Sequence, residues 1–159
     1  MAGSGDAVSK GPQELPFPVA EFDHDKLQIV ANVTLHADVN EITPFVENLM
    51  KMISQMECAQ GKEFEIELAL REALANAIVH GCKNDCTQKV QCCVACDVDR
   101  GMLIVVRNPG NGFDVGSVPN PTMGDNVFSN HGRGIYMINQ LMDEVKWMKN
   151  GTEIHMVKY

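Results

Sequence analysis

The 159-residue sequence lacks any apolar run near the roughly 18 residues that a membrane-spanning helix requires. Its first twenty residues contain neither an apolar signal core nor an arginine-rich amphipathic pattern. We therefore expect a soluble, cytoplasmic protein with no membrane partner. Because Gly, Ser and Pro dominate up to about Pro18, we interpret residues 1–20 as a flexible leader and residues 21–159 as a single domain.

Positive charge is also scarce. The chain has 13 Lys and Arg against 21 Asp and Glu, which gives a net charge of −8. Proteins that bind nucleic acid usually carry a basic patch, often interleaved with aromatic residues, and no such stripe is present. We therefore expect no direct nucleic-acid partner.

Cysteine is comparatively abundant, with six residues. In a cytoplasmic protein we expect them to be thiols, because that compartment keeps cysteines reduced. Four of them fall within eleven residues: Cys86, Cys92, Cys93 and Cys96. On the strand predicted there, Cys93 and Cys96 would point to opposite faces, unlike two ligands of a zinc turn. The favoured interpretation is buried structural thiols, with zinc or redox chemistry as the alternative.

The hydrophobic patterns predict an α+β fold, a two-layer sandwich in which about three helices cover one face of a mixed, mostly antiparallel sheet. Helices are predicted from Asp38 to Glu57, Glu63 to His80 and Gly134 to Asp143. Strands are predicted over Leu27–Leu35, Lys89–Val98, Met102–Val106, Glu144–Met148 and Thr152–Val157.

The second predicted helix carries two polar residues four positions apart, Glu72 and Asn76. Helical geometry places residues at this spacing on the same face. A carboxylate and an amide oxygen are hard ligands of the kind that Mg²⁺ accepts alongside water and phosphate. The alternative for this helix alone is a solvated polar face.

Two glycine-containing segments accompany that helix. The segment Asn108–Asp114, NPGNGFD, follows a predicted strand, and its glycines allow a sharp turn and close approach to a ligand. The segment Ser129–Gly134, SNHGRG, opens the last helix, where free N–H groups and the helix dipole favour an anion. Taken separately, the two segments are an ordinary turn and a helix cap. The connection over 108–131 is long enough to be a lid or binding loop.

In this order and spacing, the three segments resemble the GHKL (Bergerat-fold) ATPase superfamily, and within it the anti-sigma factor serine/threonine kinases of bacteria. The resemblance runs from about Leu27 to the C-terminus. Glu72–Ala77, EALANA, matches the N-box of that family, and Asn108–Asp114 matches its first glycine box. GRGI together with LMDEV, within Gly132–Val145, matches the second box.

The resemblance implies ATP and Mg²⁺ as cofactors and assigns roles to individual residues. Asn76 would hold Mg²⁺ against the phosphates, and Glu72 would be the general base that takes a proton from a serine or threonine hydroxyl. Arg133 would steady the β- or γ-phosphate. The glycines that would allow the backbone to approach the nucleotide are Gly110, Gly112, Gly132 and Gly134.

The sequence departs from the family pattern at Asn108, where the first box normally begins with Asp. The family's carboxylate accepts a hydrogen bond from the adenine amino group. The neutral oxygen of Asn108 can accept the same bond more weakly, while its NH₂ would instead suit the carbonyl of guanine. The nucleotide preference stays open at this stage.

By resemblance, the protein is an ATP-binding anti-sigma regulatory factor that binds a sigma factor and phosphorylates a STAS-type anti-anti-sigma antagonist. A homodimer is also expected by similarity. One alternative is a switch without kinase activity, nucleotide-responsive or nucleotide-free, which Asn108 favours. Another is the ATP-binding half of a histidine kinase, which would need its phosphoacceptor domain in trans. The presence of both Glu72 and Asn76 favours the kinase.

Overall fold

The computed structural model describes residues 26–109 and 130–159. Within them, five strands form one sheet in the order β1-β2-β3-β5-β4, and every strand pairing is antiparallel. The strands are β1 (Gln28–His36), β2 (Lys89–Asp97), β3 (Gly101–Arg107), β4 (Glu144–Met148) and β5 (Glu153–Lys158). The helices are α1 (Ile42–Ile53), α2 (Glu63–Ala75) and α3 (Asn130–Leu141). The predicted α+β sandwich is confirmed.

The strand alternation explains why the helices collect on one side of the sheet. On β3, Met102, Ile104 and Val106 point into the main core, whereas Leu103 and Val105 belong to a small apolar cluster on the opposite face. From the helical side, α2 contributes a stripe at helical spacing: Ile66, Leu70, Ala73 and Leu74, with Ala77 continuing it. No helix in the described part of the chain is long and apolar enough to cross a membrane.

The first and third helices differ from their predicted bounds. A 3₁₀ turn at Val39–Glu41 precedes α1, and the side chain of Asp38 caps it by accepting from the backbone N–H of Asn40 at 2.9 Å. Helix α3 begins at Asn130, four residues before the predicted start at Gly134. Gly132 disfavours a helix in this turn, but packing of α3 against α2 overrides that preference.

The cysteine expectation is partly wrong. Cys96 is joined to Cys58 in a disulfide with a Cα–Cα distance of 6.2 Å, and Cys86 is exposed. Cys92 and Cys93 are buried thiols, as expected. The predicted opposition of Cys93 and Cys96 is confirmed, because they lie in the clusters on opposite faces of the sheet. In the described residues, no group of three or more His, Cys, Asp or Glu could hold a metal ion.

Candidate functional site

The last turns of the second helix change geometry where the predicted site residues lie. After Ala75 the chain continues as a π-helix over Asn76–Gly81, and the N–H of Cys82 donates to the carbonyl of Ala77 at 2.8 Å, a five-residue spacing. The predicted helix Glu63–His80 is therefore continuous but changes type within its length. Such π segments occur preferentially at functional sites, because the inserted residue redirects the side chains around it.

Glu72 and Asn76 lie against the N-terminal part of α3, at Gly134. A Cβ built on Gly134 would be 2.8 Å from Oε2 of Glu72, and 3.6 and 3.7 Å from Oδ1 and Nδ2 of Asn76. The absence of a side chain at Gly134 is what permits this approach. The structure thus brings together three predicted site residues from two helices that are distant in the sequence.

The Asn76 amide lies in a buried position, with 7% of the residue exposed. Its Nδ2 has no hydrogen-bond partner, although it is inaccessible to solvent. An unpaired buried polar group costs about 1–3 kcal/mol, so a polar ligand that completed this amide would recover free energy. The side chain also offers an oxygen of the kind that Mg²⁺ binds, so the residues present fit the cation that the resemblance implies.

Asn108 is positioned by two residues that were not predicted to belong to the site, Thr152 and Gly81. Its backbone N–H donates to the carbonyl oxygen of Thr152 at 2.9 Å, and its Nδ2 donates to the same oxygen at 3.4 Å. The amide lies flat over Gly81, because a Cβ there would be 2.5, 2.6 and 2.7 Å from Cγ, Nδ2 and Oδ1. Only a glycine leaves room for the amide in this position.

The sequence did not predict Gly81 and Thr152 as site residues. Gly81 directly follows the predicted helix Glu63–His80, and Thr152 is the first residue of a predicted strand. Thr152 acts through its carbonyl oxygen, so its side-chain type gave no signal. For Gly81, the signal was its position directly after the helix that carries Glu72 and Asn76.

A small cavity lies between α2 and the sheet, and the side chains of Asn76 and Asn108 both line it. It is lined by Ala73, Asn76, Ala77, Val106, Asn108, Trp147 and Ile154. Its volume is about 10 Å³, close to the space that one water molecule occupies. The floor is apolar, and Asn76 and Asn108 supply polar groups. Trp147 is the only tryptophan of the chain and was not predicted as a site residue.

The remaining predicted site residues divide into two groups. Arg133 is exposed in the first turn of α3, and the backbone of Gly132 lies in the same turn. Gly110 and Gly112 lie outside the described residues, together with the rest of the connection over 110–129. That these glycines let the backbone approach the nucleotide therefore stays a prediction.

The chain is similar in sequence to known proteins. The family model of the histidine kinase-like ATPase domain matches residues 35–158. Among curated proteins, the chain is 31% identical over 102 residues to the serine-protein kinase RsbW of Bacillus licheniformis, across 60% of this chain and 63% of that relative. The chain thus matches somewhat less than two thirds of the curated relative's length. The family match extends from the last residues of β1 to the end of β5 and includes every element that contributes to the site. The chain belongs to the histidine kinase-like ATPase domain family.

Proposed function

We propose that the protein is an ATP-binding anti-sigma regulatory factor that phosphorylates a protein antagonist on serine or threonine. The observation that carries the proposal is the convergence of Glu72 and Asn76 on Gly134. A carboxylate and an amide beside a helix N-terminus form the set of groups that phosphoryl transfer requires, since this chemistry depends on positioning and charge neutralisation. Sequence similarity to a serine-protein kinase supports the same reaction class.

The nucleotide would lie between the two helices, with its phosphates towards α3 and its base towards Asn108. Asn76 would bind Mg²⁺ through its side-chain oxygen, and the cation would neutralise phosphate charge. Because the described residues offer no acidic metal cluster, water and phosphate oxygens would complete the coordination shell. Arg133 and the N–H groups at the start of α3 would face the β- and γ-phosphates.

Glu72 would act as the general base. Its carboxylate takes the proton from the hydroxyl of the acceptor serine or threonine as that oxygen forms a bond to the γ-phosphorus. The bond between the γ-phosphorus and the β,γ-bridging oxygen breaks, and ADP leaves with the bonding electrons. The products are the phosphorylated side chain and ADP, and the proton rests on Glu72.

A second candidate is a partner-binding switch without kinase activity. Two observations favour it: the neutral Asn108, and a cavity of only about 10 Å³ beside it. An adenine ring does not fit that volume unless lining side chains such as Trp147 move. Such a protein would bind its partner with weak dependence on nucleotide, or with none.

The partners belong to the same proposal: a sigma factor, a STAS-type antagonist and a second copy of this chain, in the cytoplasm. The test is transfer of the γ-phosphate from Mg-ATP to STAS-type proteins encoded in the same genome. We expect one of them to become phosphorylated on serine or threonine by the wild type but not by Glu72→Gln. Partner binding without transfer would contradict the kinase and support the switch.

A further inference from the structure

A buried carboxylate lies on the sheet face opposite the helices, beside the base end of the proposed site. Glu153, the first residue of β5, is 0% exposed. Its Oε1 is 3.3 Å from Nε of Arg107, and its Oε2 is 3.8 Å from Nζ of Lys149 and 3.5 Å from Nε2 of His155. A buried charge persists only when surrounding groups compensate it, so these contacts constrain the segments that supply them.

One of those segments is the tight turn that joins β4 to β5. Lys149, Asn150 and Gly151 all have positive φ angles, of 52°, 58° and 84°. For Lys149 and Asn150 this left-handed backbone is disfavoured, so the turn depends on contacts that hold it. The ion pair from Lys149 to Glu153 spans the turn. Within it, Thr152 donates to the carbonyl of Lys149 through its N–H at 3.2 Å and its Oγ1 at 2.8 Å.

The same network borders the contact between Asn108 and Thr152. Arg107 directly precedes Asn108, and Glu153 directly follows Thr152, so the ion pair lies next to the two hydrogen bonds that Asn108 donates to the Thr152 carbonyl. Because Nδ2 points towards that carbonyl, Oδ1 points away from it. An amide oxygen has two lone pairs and can accept a hydrogen bond from an amino group of a base.

We infer that Glu153 is a positioning residue for the Asn108 amide and acts through Arg107 and the Lys149–Thr152 turn. The amide held in this orientation selects a base that carries an exocyclic amino group. This inference rests on the proposed nucleotide binding. If the Thr152 carbonyl shifted, the amide could rotate and present its NH₂ to the carbonyl of a 6-oxo base. The site should therefore prefer adenine to guanine nucleotides although the family's aspartate is replaced, and the preference should depend on a residue that does not touch the base.

The experiment compares the affinities of the full-length wild type and Glu153→Gln for Mg-ATP and Mg-GTP by calorimetry. We expect the wild type to prefer ATP, and the variant to lose about tenfold in the ratio of the two affinities, the equivalent of one neutral hydrogen bond. General damage to the fold would instead lower the affinities for both nucleotides by the same factor. Glu144→Gln on β4 is the matched control, because it removes the same charge from the same sheet face and should leave the ratio unchanged.

Lys149→Gln provides a second variant if the neutral side chain at position 153 prevents folding. Half of the Lys149 side chain is exposed, so its removal is tolerable, and a smaller shift in the same direction is expected. In an Asn108→Ala background, Glu153→Gln should not change the ratio further. If the wild type binds no nucleotide, the proposed function fails together with this inference. If it binds ATP but shows no preference, or if both variants keep the wild-type ratio, only this inference is overturned.

Discussion

Oε2 of Glu72 lies 2.8 Å from the point where any side chain at Gly134 would begin. The proposed general base on α2 and the glycine on α3 therefore occupy one compact contact, although 61 intervening positions separate them in the sequence. The second glycine box and the helix motif thus meet at Gly134. This contact connects the fold to the proposed chemistry and gives the most direct mutational test of it.

Gly134→Ala should impair phosphoryl transfer without unfolding the protein. The new methyl group would displace the flexible end of Glu72, whereas alanine in a helix favours folding by up to about 1 kcal/mol relative to glycine. We expect at least about a tenfold loss of transfer rate, as for a misplaced catalytic group. Thermal unfolding of the variant measures stability independently. Full transfer by Gly134→Ala would show that the carboxylate position is not critical.

Gly81→Ala should weaken nucleotide binding. A Cβ at this position would be 2.5 Å from Cγ of Asn108, so the amide would have to leave its position over Gly81 and its bond to Thr152. We expect about a tenfold lower affinity for Mg-ATP, as for one lost hydrogen bond. Calorimetric titration measures the affinity, and unchanged ATP binding would mean that Asn108 does not contact the base.

Substitutions at Glu72 and Asn76 should separate the effect on phosphoryl transfer from the effect on nucleotide binding. Glu72→Ala should abolish phosphoryl transfer while Mg-ATP still binds, because the general base acts only on the acceptor hydroxyl. Asn76→Ala should weaken Mg-ATP binding and reduce the gain in affinity that Mg²⁺ provides. Transfer assays and titrations with and without Mg²⁺ check both. Equal transfer by wild type and Glu72→Ala would refute the general-base assignment.

The sequence was sufficient to predict most elements and the shared helix face of Glu72 and Asn76, because both depend on local periodicity. Ile66, Leu70 and Leu74 fix the buried face of α2, and the same helical geometry places Glu72 and Asn76 together on a different face. The predicted β4 agrees with the structure at both ends, and the predicted β5 differs by one residue at each end, since the Asn150–Gly151 turn limits both strands.

Features that depend on contacts between distant segments could not be predicted in this way. The Asn108–Thr152 hydrogen bonds use a main-chain carbonyl, and the burial of Glu153 depends on β5 lying next to β3. The disulfide partner of Cys96 could likewise not be predicted, because Cys58 lies 38 residues away in a short 3₁₀ turn. None of these relationships leaves a periodic pattern in the sequence.

Reduction should destabilise the protein measurably. The Cys58–Cys96 disulfide connects the turn before α2 to strand β2 across 38 residues, and bonds that close loops of this size typically contribute about 2–4 kcal/mol. A lower thermal midpoint is expected in excess dithiothreitol. The double variant Cys58→Ala/Cys96→Ala is the control and should show no response to the reductant. Identical midpoints of the wild type with and without reductant would contradict a stabilising disulfide.

Stability should also depend on pH through His155. Burial lowers the pKa of this imidazole below its usual value of 6.5, and the positive charges of Lys146 and Arg107 lower it further, while Glu153 opposes the shift. The unfolded chain therefore binds more protons than the native state at moderately acidic pH. The free energy of unfolding should fall as pH drops below 6.5, by at most about 1.4 kcal/mol per pH unit from this group.

Denaturant titrations at several pH values measure this dependence. The variant His155→Gln cannot take up the proton and should show a flatter profile between neutral pH and pH 5. Its difference from the wild type isolates His155 from the carboxylates, which titrate at lower pH. Parallel profiles for the two proteins would show that His155 has the same pKa in the folded and unfolded states.

The most direct test of the central claim is calorimetric titration of the wild-type protein with ATP, ADP and GTP, each with and without Mg²⁺. Tryptophan fluorescence can be followed alongside, because the single Trp147 lines the cavity shared by Asn76 and Asn108. We expect saturable binding of ATP that Mg²⁺ strengthens, weaker binding of GTP, and a change in Trp147 emission on binding. An absence of binding at millimolar nucleotide would contradict the ATP-dependent kinase and leave the nucleotide-free switch.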